Sequence, residues 1–141
     1  MWMLLHVWCA GMWLGCVLTE VVFERTLADQ SGQANLPLAR LHWWVDVWVE
    51  GPLLLAVGLT GVAGWPSSHA TAPLHTMAVL GGLAIVANLW CMRLVWLRMK
   101  AAQAGHHELY TRLDHAQHRW GAVVLLGLLG AASAGAWRHL G

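Results

Sequence analysis

A chain of 141 residues that is 58% hydrophobic and only 11% charged is too apolar for an ordinary water-soluble domain and marks an integral membrane protein. Eight Lys and Arg against seven Asp and Glu leave a formal charge of +1, so no basic field is present to hold a nucleic acid. Cys9, Cys16 and Cys91 all stand inside apolar segments, where small buried thiols are expected and a secreted-type disulfide framework is not.

A bilayer core takes about 20 mainly apolar residues per helix. Four such runs are predicted, at roughly 2–23, 41–64, 74–97 and 119–137. The first has no Lys or Arg ahead of it and no small-residue cleavage site, and reads as a retained membrane anchor. Residues 24–40 form a polar connector containing Ser31, Gly32, Asn35 and Pro37, and a short second connector, 65–73, holds two prolines. The third, 99–118, is polar and rich in histidine, and reads as a loop or as amphipathic extensions of its neighbours. Trp2, Trp65, Trp120 and Trp137 fall near segment ends, as interfacial anchors do. The expectation is one all-α domain, an up-down-up-down four-helix transmembrane bundle.

Arg25, Arg40, Arg93, Arg98, Lys100, Arg112 and Arg119 lie on the side of the first and third connectors, called side A, against Arg138 alone on side B. The positive-inside rule then makes side A cytoplasmic and puts both termini on the other side.

Ionisable residues inside a span are costly enough to ask for a partner or a function. On the first span Glu20 and Glu24 are four apart, and His6 and Trp13 precede Glu20 by fourteen and seven, which places all four on one helical face. The second carries His42, Asp46 and Glu50 at a spacing of four, and the fourth opens with Asp114, His115 and His118. Asn88 and Met92 occupy the A-side half of the third. Three spans can therefore project carboxylates and imidazoles into the same half of one bundle, the manner in which four-helix bundles hold paired metal ions. Glu20, Glu24, His42, Asp46, Glu50, His115 and His118 are the expected ligands, with Asn88, Met92 and Arg93 orienting or neutralising them. Such donors suit iron, zinc or manganese and tolerate copper. The soluble di-iron pattern is absent, because no Glu-x-x-His pair occurs. A plainer alternative needs no metal: Glu24, Asp114 and His118 lie at the water interface, and Arg25, Arg40, Arg93 and Arg119 pair with the acids.

On side B, His6 and His75 stand at matching depth near the starts of the first and third spans, and can serve as axial ligands of a b-type haem. His69, His106, His107 and His139 are expected to be solvated. The segment Leu4-Leu5-His6-Val7-Trp8 with Trp13 and Gly15, the Glu50-Gly51-Pro52 entry into a Gly-rich second span, and Pro73-Leu74-His75 with Arg93 closing the third span resemble the HemJ-type protoporphyrinogen oxidases. More loosely, they resemble the CopD-like copper-resistance membrane proteins. The resemblance implies a haem-associated membrane oxidoreductase in which His6 matches the family's first-helix histidine. The family's lysine near the start of the third helix stands here as Met77.

The leading expectation is a membrane metalloprotein, an oxidoreductase if it is an enzyme, with a His and carboxylate site, dinuclear in its fullest form, between helices 1, 2 and 4. Its substrate or redox partner would be a lipid-soluble small molecule or one arriving from side A, and self-association into a homo-oligomer is plausible for so small a bundle. The haem protein using His6 and His75 is the alternative. A third reading is a copper or other cation carrier, with Met3, Cys9, Met12 and Cys16 as a soft path along helix 1.

Overall fold

The computed structural model describes residues 1–28, 35–66 and 71–140, with the side chains of 28 and 138–140 left aside. His69, His139, Ser31 and Gly32 fall outside the described residues or side chains. Among the described residues there are four long helices: α1 (Trp2–Ala28), α2 (Leu36–Ala63), α3 (Ala72–Gln103) and α4 (His107–Leu140). Each is long and apolar enough to cross a membrane. The chain forms an integral membrane four-helix bundle.

Local chemistry sets the ends. Asn35 caps α2, its side-chain oxygen accepting the Leu38 N–H at 3.0 Å, and Pro37 follows in the first turn, where a missing donor is harmless. Pro73 occupies the matching place in α3. Gly105, at φ +71°, ends α3: its N–H reaches Ala102 O and the His106 N–H reaches Ala101 O, the paired bonds of a Schellman turn.

The segment 99–118 resolves into helical extensions and a short turn. Met99 and Ala101 are buried, and Tyr110 lies under the Arg98 guanidinium at 5.7 Å, so packing continues past the apolar runs. At 32 residues α3 is about 48 Å long, more than a bilayer core requires.

Around the bundle α1 neighbours α2 and α4, and α3 neighbours α4 and α2. The Leu36–Val45 part of α2 leans on α3, and its Gly51–Ala63 part on α1. The most extensive contact is the α3–α4 hairpin, where Gly127 faces Ala84 and Leu80, and Gly130 faces Leu80. In a bilayer, helices gain little from excluding lipid, so close backbone approach through small residues is what holds such a pair.

Inside, Cys9, Trp13, Val17, Leu54, Val57, Ala84, Ala87, Val124 and Leu128 form a dry apolar core. Outside, Leu4, Trp8, Met12, Leu55, Leu59, Val86 and Leu126 stay exposed, a surface suited to lipid.

A Cβ placed on Gly127 would meet Ala84 Cβ at 3.0 Å and Leu80 O at 3.2 Å, whereas one on Gly121 meets nothing within 4 Å. Gly127→Val should therefore lower unfolding stability in detergent by about 1–3 kcal/mol, and Gly121→Ala should leave it unchanged or raise it by up to about 1 kcal/mol; a thermal or denaturant titration of both variants checks the difference.

Candidate metal centre

The inward stripe of α1 changes character along its length. Cys9, Trp13 and Val17 belong to the dry core; then come Cys16, Glu20 and Glu24. Glu20 and Glu24 are buried at 8% and 3% exposure, where an ionisable group needs a partner.

On α2 the same stripe is held straight by a local departure from α-helix. Asp46–Glu50 is a π-helical turn, with the Gly51 N–H bonded to Asp46 O five residues back. Four α-helical residues overshoot a full circle by about 40°, and four π-helical residues fall short of one by about 30°. His42, Asp46 and Glu50 thus stay in line, and all three are buried. Pro52, which has no N–H, and Gly51, which is free of a Cβ that would stand 3.3 Å from Asp46 O, make the wider turn tolerable.

His42 is the hub. Its Nδ1 is 2.5 Å from Glu24 Oε1, and its Nε2 is 3.3 Å from Glu20 Oε2 and 3.8 Å from Asp46 Oδ1. Phe23 packs against the ring edge-on at 5.6 Å, and Gln117 Nε2 from α4 lies 3.2 Å from Nδ1. Deeper along α2, Glu50 Oε2 accepts a 2.7 Å hydrogen bond from Asn88 Nδ2 of α3. Nearer side A, the Arg98 guanidinium, fully buried, donates to Glu24 Oε1 at 2.5 Å and Oε2 at 3.3 Å and to Asp114 Oδ1 at 2.5 Å. That fork joins α1, α3 and α4.

Among the described residues, three groups of donor atoms come within 4.8 Å of one another: Cys16, Glu20 and Glu50; Glu20, His42 and Asp46; and Glu24, Asp114 and His118. Glu20 belongs to the first two. The third already contains the Arg98 guanidinium, which serves as its cation. The first two are different, because Glu20 Oε1, Asp46 Oδ2 and Glu50 Oε1 are buried with no hydrogen-bond partner. A buried carboxylate oxygen left so is expensive unless a proton or a cation meets it.

Of the sequence-predicted ligands, Glu20, Glu24, His42, Asp46 and Glu50 converge in the bundle interior. His115 and His118 are exposed, each with Nδ1 at 2.8 Å from a carbonyl one turn back, Thr111 O and Asp114 O. His118 reaches only the rim group, and His115 none of the three. Asn88 lies where an orienting residue would. Met92 packs beside Gly51, 3.8 Å from where its Cβ would be, and Arg93 points away, over the Trp90 ring. Arg25, Arg40 and Arg119 are exposed, so the interior acids do not depend on them.

Arg98 and Gln117 were not singled out from sequence. Both carry a readable signal: Arg98 is seven residues after Cys91 and three after Val95, on the buried face of α3, and Gln117 is seven before the core residue Val124. Arg93, favoured for its charge, is off that face.

On side B, His6 Nδ1 is 3.1 Å from Val57 O and from Thr60 Oγ1; since a carbonyl only accepts, the proton sits on Nδ1. His75 is exposed on α3, bonded to Thr71 O, with its ring edge-on to Trp65. Met3 and Met12 face outward and Cys9 inward, so they do not line one path.

Removing Arg98 leaves Glu24 and Asp114 facing each other without their shared cation. Arg98→Ala should cost about 3–5 kcal/mol. Arg112→Ala, which breaks only the exposed pair with Glu108, should have no measurable effect. Denaturant unfolding of the two variants in one detergent makes the comparison. The chain matches no protein-family model, no curated protein and no solved structure.

Proposed function

We propose that this protein is a membrane metalloprotein that holds a transition metal ion on Glu20, His42 and Asp46, with Glu50 and Cys16 completing a second position that shares Glu20. The observation that carries the reading is the set of three partnerless buried carboxylate oxygens, on Glu20, Asp46 and Glu50, the first two beside the His42 imidazole and the third beside Glu20 and Cys16. The protein's own basic groups leave an excess of acid: five carboxylates, those of Glu20, Glu24, Asp46, Glu50 and Asp114, face the Arg98 guanidinium and the His42 imidazole, which can carry one further charge. A divalent ion answers that excess with the donor atoms already converged.

The donor chemistry narrows the metal. Imidazole with several carboxylates favours iron, manganese or zinc, and the Cys16 thiol beside Glu20 and Glu50 extends the range to copper. Such an ion supplies Lewis acidity or a change of oxidation state. The chain's own residues do the rest: Asn88 holds Glu50, Arg98 holds Glu24, and Glu24 fixes the His42 ring through Nδ1, leaving Nε2 towards Glu20 and Asp46. With its redox-capable metals and its low-dielectric setting the protein is best read as an oxidoreductase acting on a lipid-soluble small molecule or a redox partner. The excess of positive residues at the same end gives the cytoplasmic side as the one to which the site is nearer.

A second reading, the b-type haem protein that the HemJ-like resemblance implies, has one observation in its favour. The His6 Nδ1–H is engaged by Val57 O and Thr60 Oγ1, which leaves Nε2 available, as in many metal-binding histidines.

Elemental analysis and an absorption spectrum of protein extracted in mild detergent separate the two. The metal reading expects one or two transition metal ions per chain, lost in His42→Ala and Asp46→Asn, retained in His115→Ala, and held about 10- to 100-fold more weakly in Asn88→Ala. A metal-free wild-type preparation overturns it. The haem reading expects a Soret band that His6→Ala removes and His42→Ala leaves intact.

A further inference from the structure

A second feature stands on the outer surface, independent of the proposed metal. On α3, Trp90, Arg93, Trp96 and Lys100 follow one another at spacings of three, three and four, and all four are exposed on one face. Arg93 lies over the Trp90 ring at 5.5 Å, and Lys100 over Trp96 at 5.9 Å. Among the described residues neither cation has a carboxylate partner, whereas Arg98 and Arg112 do. Beside them a groove of about 280 Å³ runs between α2 and α3, lined by Trp43, Met92, Arg93 and Trp96. Arg40, also exposed, is one turn before Trp43 on α2.

A guanidinium on the lipid-facing surface of a span needs an anion, and aromatic contact alone does not replace one. Among the described residues the protein offers none here, but the bilayer does. We propose that the α2–α3 groove is a binding site for one anionic phospholipid, with Arg93 and Lys100 drawing its phosphate headgroup and Trp43 and Trp96 packing against it at the same level. Charge decides for an anionic over a zwitterionic lipid: Arg40, Arg93 and Lys100 together present three positive groups with no acid among them. Clustered basic residues beside a groove between spans are the usual form of such sites.

Native mass spectrometry of the full chain, reconstituted in phosphatidylcholine with a minority of phosphatidylglycerol, tests this. The wild-type protein should retain one phosphatidylglycerol in preference to phosphatidylcholine. Arg93→Gln and Lys100→Gln should each lower that preference about fivefold, Arg93→Lys should keep most of it, and Trp43→Ala should shorten retention of both lipids. Arg112→Gln, an exposed cation elsewhere, should change nothing. All these positions face outward or line the groove, and thermal unfolding of each variant establishes that it is folded. Equal retention of the two lipids by the wild type overturns the proposal, as does a preference that survives loss of both Arg93 and Lys100. Neither result bears on the metal content of the interior.

Discussion

Placing carboxylates between helices in a bilayer is the act on which the rest of this structure depends. Hydrocarbon offers no hydration, so each buried acid must be met by something the protein brings or binds. The Arg98 guanidinium meets Glu24 and Asp114, and in doing so it ties α1 to α3 and α4 near one end of the bundle. The small-residue seam of α3 and α4 supplies the close packing beneath it. One turn deeper, around Glu20, Asp46 and Glu50, no arginine or lysine stands among the described side chains and the His42 imidazole is the one basic group against three acids, and the difference between these two levels is the reason for reading the deeper one as a binding site and the upper one as a structural clasp.

The π-helical turn at Asp46–Glu50 belongs to the same logic. An unbroken α-helix would carry Glu50 about 80° around from His42, towards a neighbouring helix or lipid. Widening one turn cancels most of that drift and keeps three ionisable side chains on a single inward line. The cost is borne by Gly51 and Pro52, whose chemistry relieves the crowding at the Asp46 carbonyl and removes one donor. Such widened turns concentrate at functional sites because a local helix defect persists only where something depends on the new alignment.

Much of the architecture was legible in the sequence, because span length and hydropathy depend on the bilayer's thickness and little else. Glu20, Glu24, His42, Asp46 and Glu50 could be placed on inward faces from spacing alone. The fourth helix was harder. His115 and His118 draw attention by residue type, yet α4 starts at His107, and the register set by Val124 and Leu128 turns Gln117 inward and both histidines out. Periodicity measured from the buried apolar residues would have chosen Gln117 on α4 and Arg98 on α3; chemical suggestiveness chose their neighbours. The π turn had a weaker signature, a Gly-Pro pair after Glu50, which signals some relief of helix geometry but not its kind.

On the proposed metal reading, depth bears on whether the ion is resident or in transit. From Asp114 and Arg98 the polar groups descend through Glu24 and His42 to Asp46 and Glu20, and end at Glu50, eight residues or about 12 Å along α2 from His42. Beyond that level the interior is Trp13, Val17, Leu54, Val57, Ala87, Val124 and Leu128, with the Trp13 indole nitrogen itself unpartnered. Among the described residues the Cys9 thiol is the one further metal-binding group in that layer, and no carboxylate or imidazole continues the column before His6 and Thr60, so a cation that entered from the Arg98 end would meet its deepest oxygen ligands at Glu50. A carrier needs graded sites on both sides of its barrier. On the proposed metal reading, a column that stops halfway, with carboxylate oxygens converged at its inner end and a salt-bridged arginine at the other, suits an ion that stays better than one in transit.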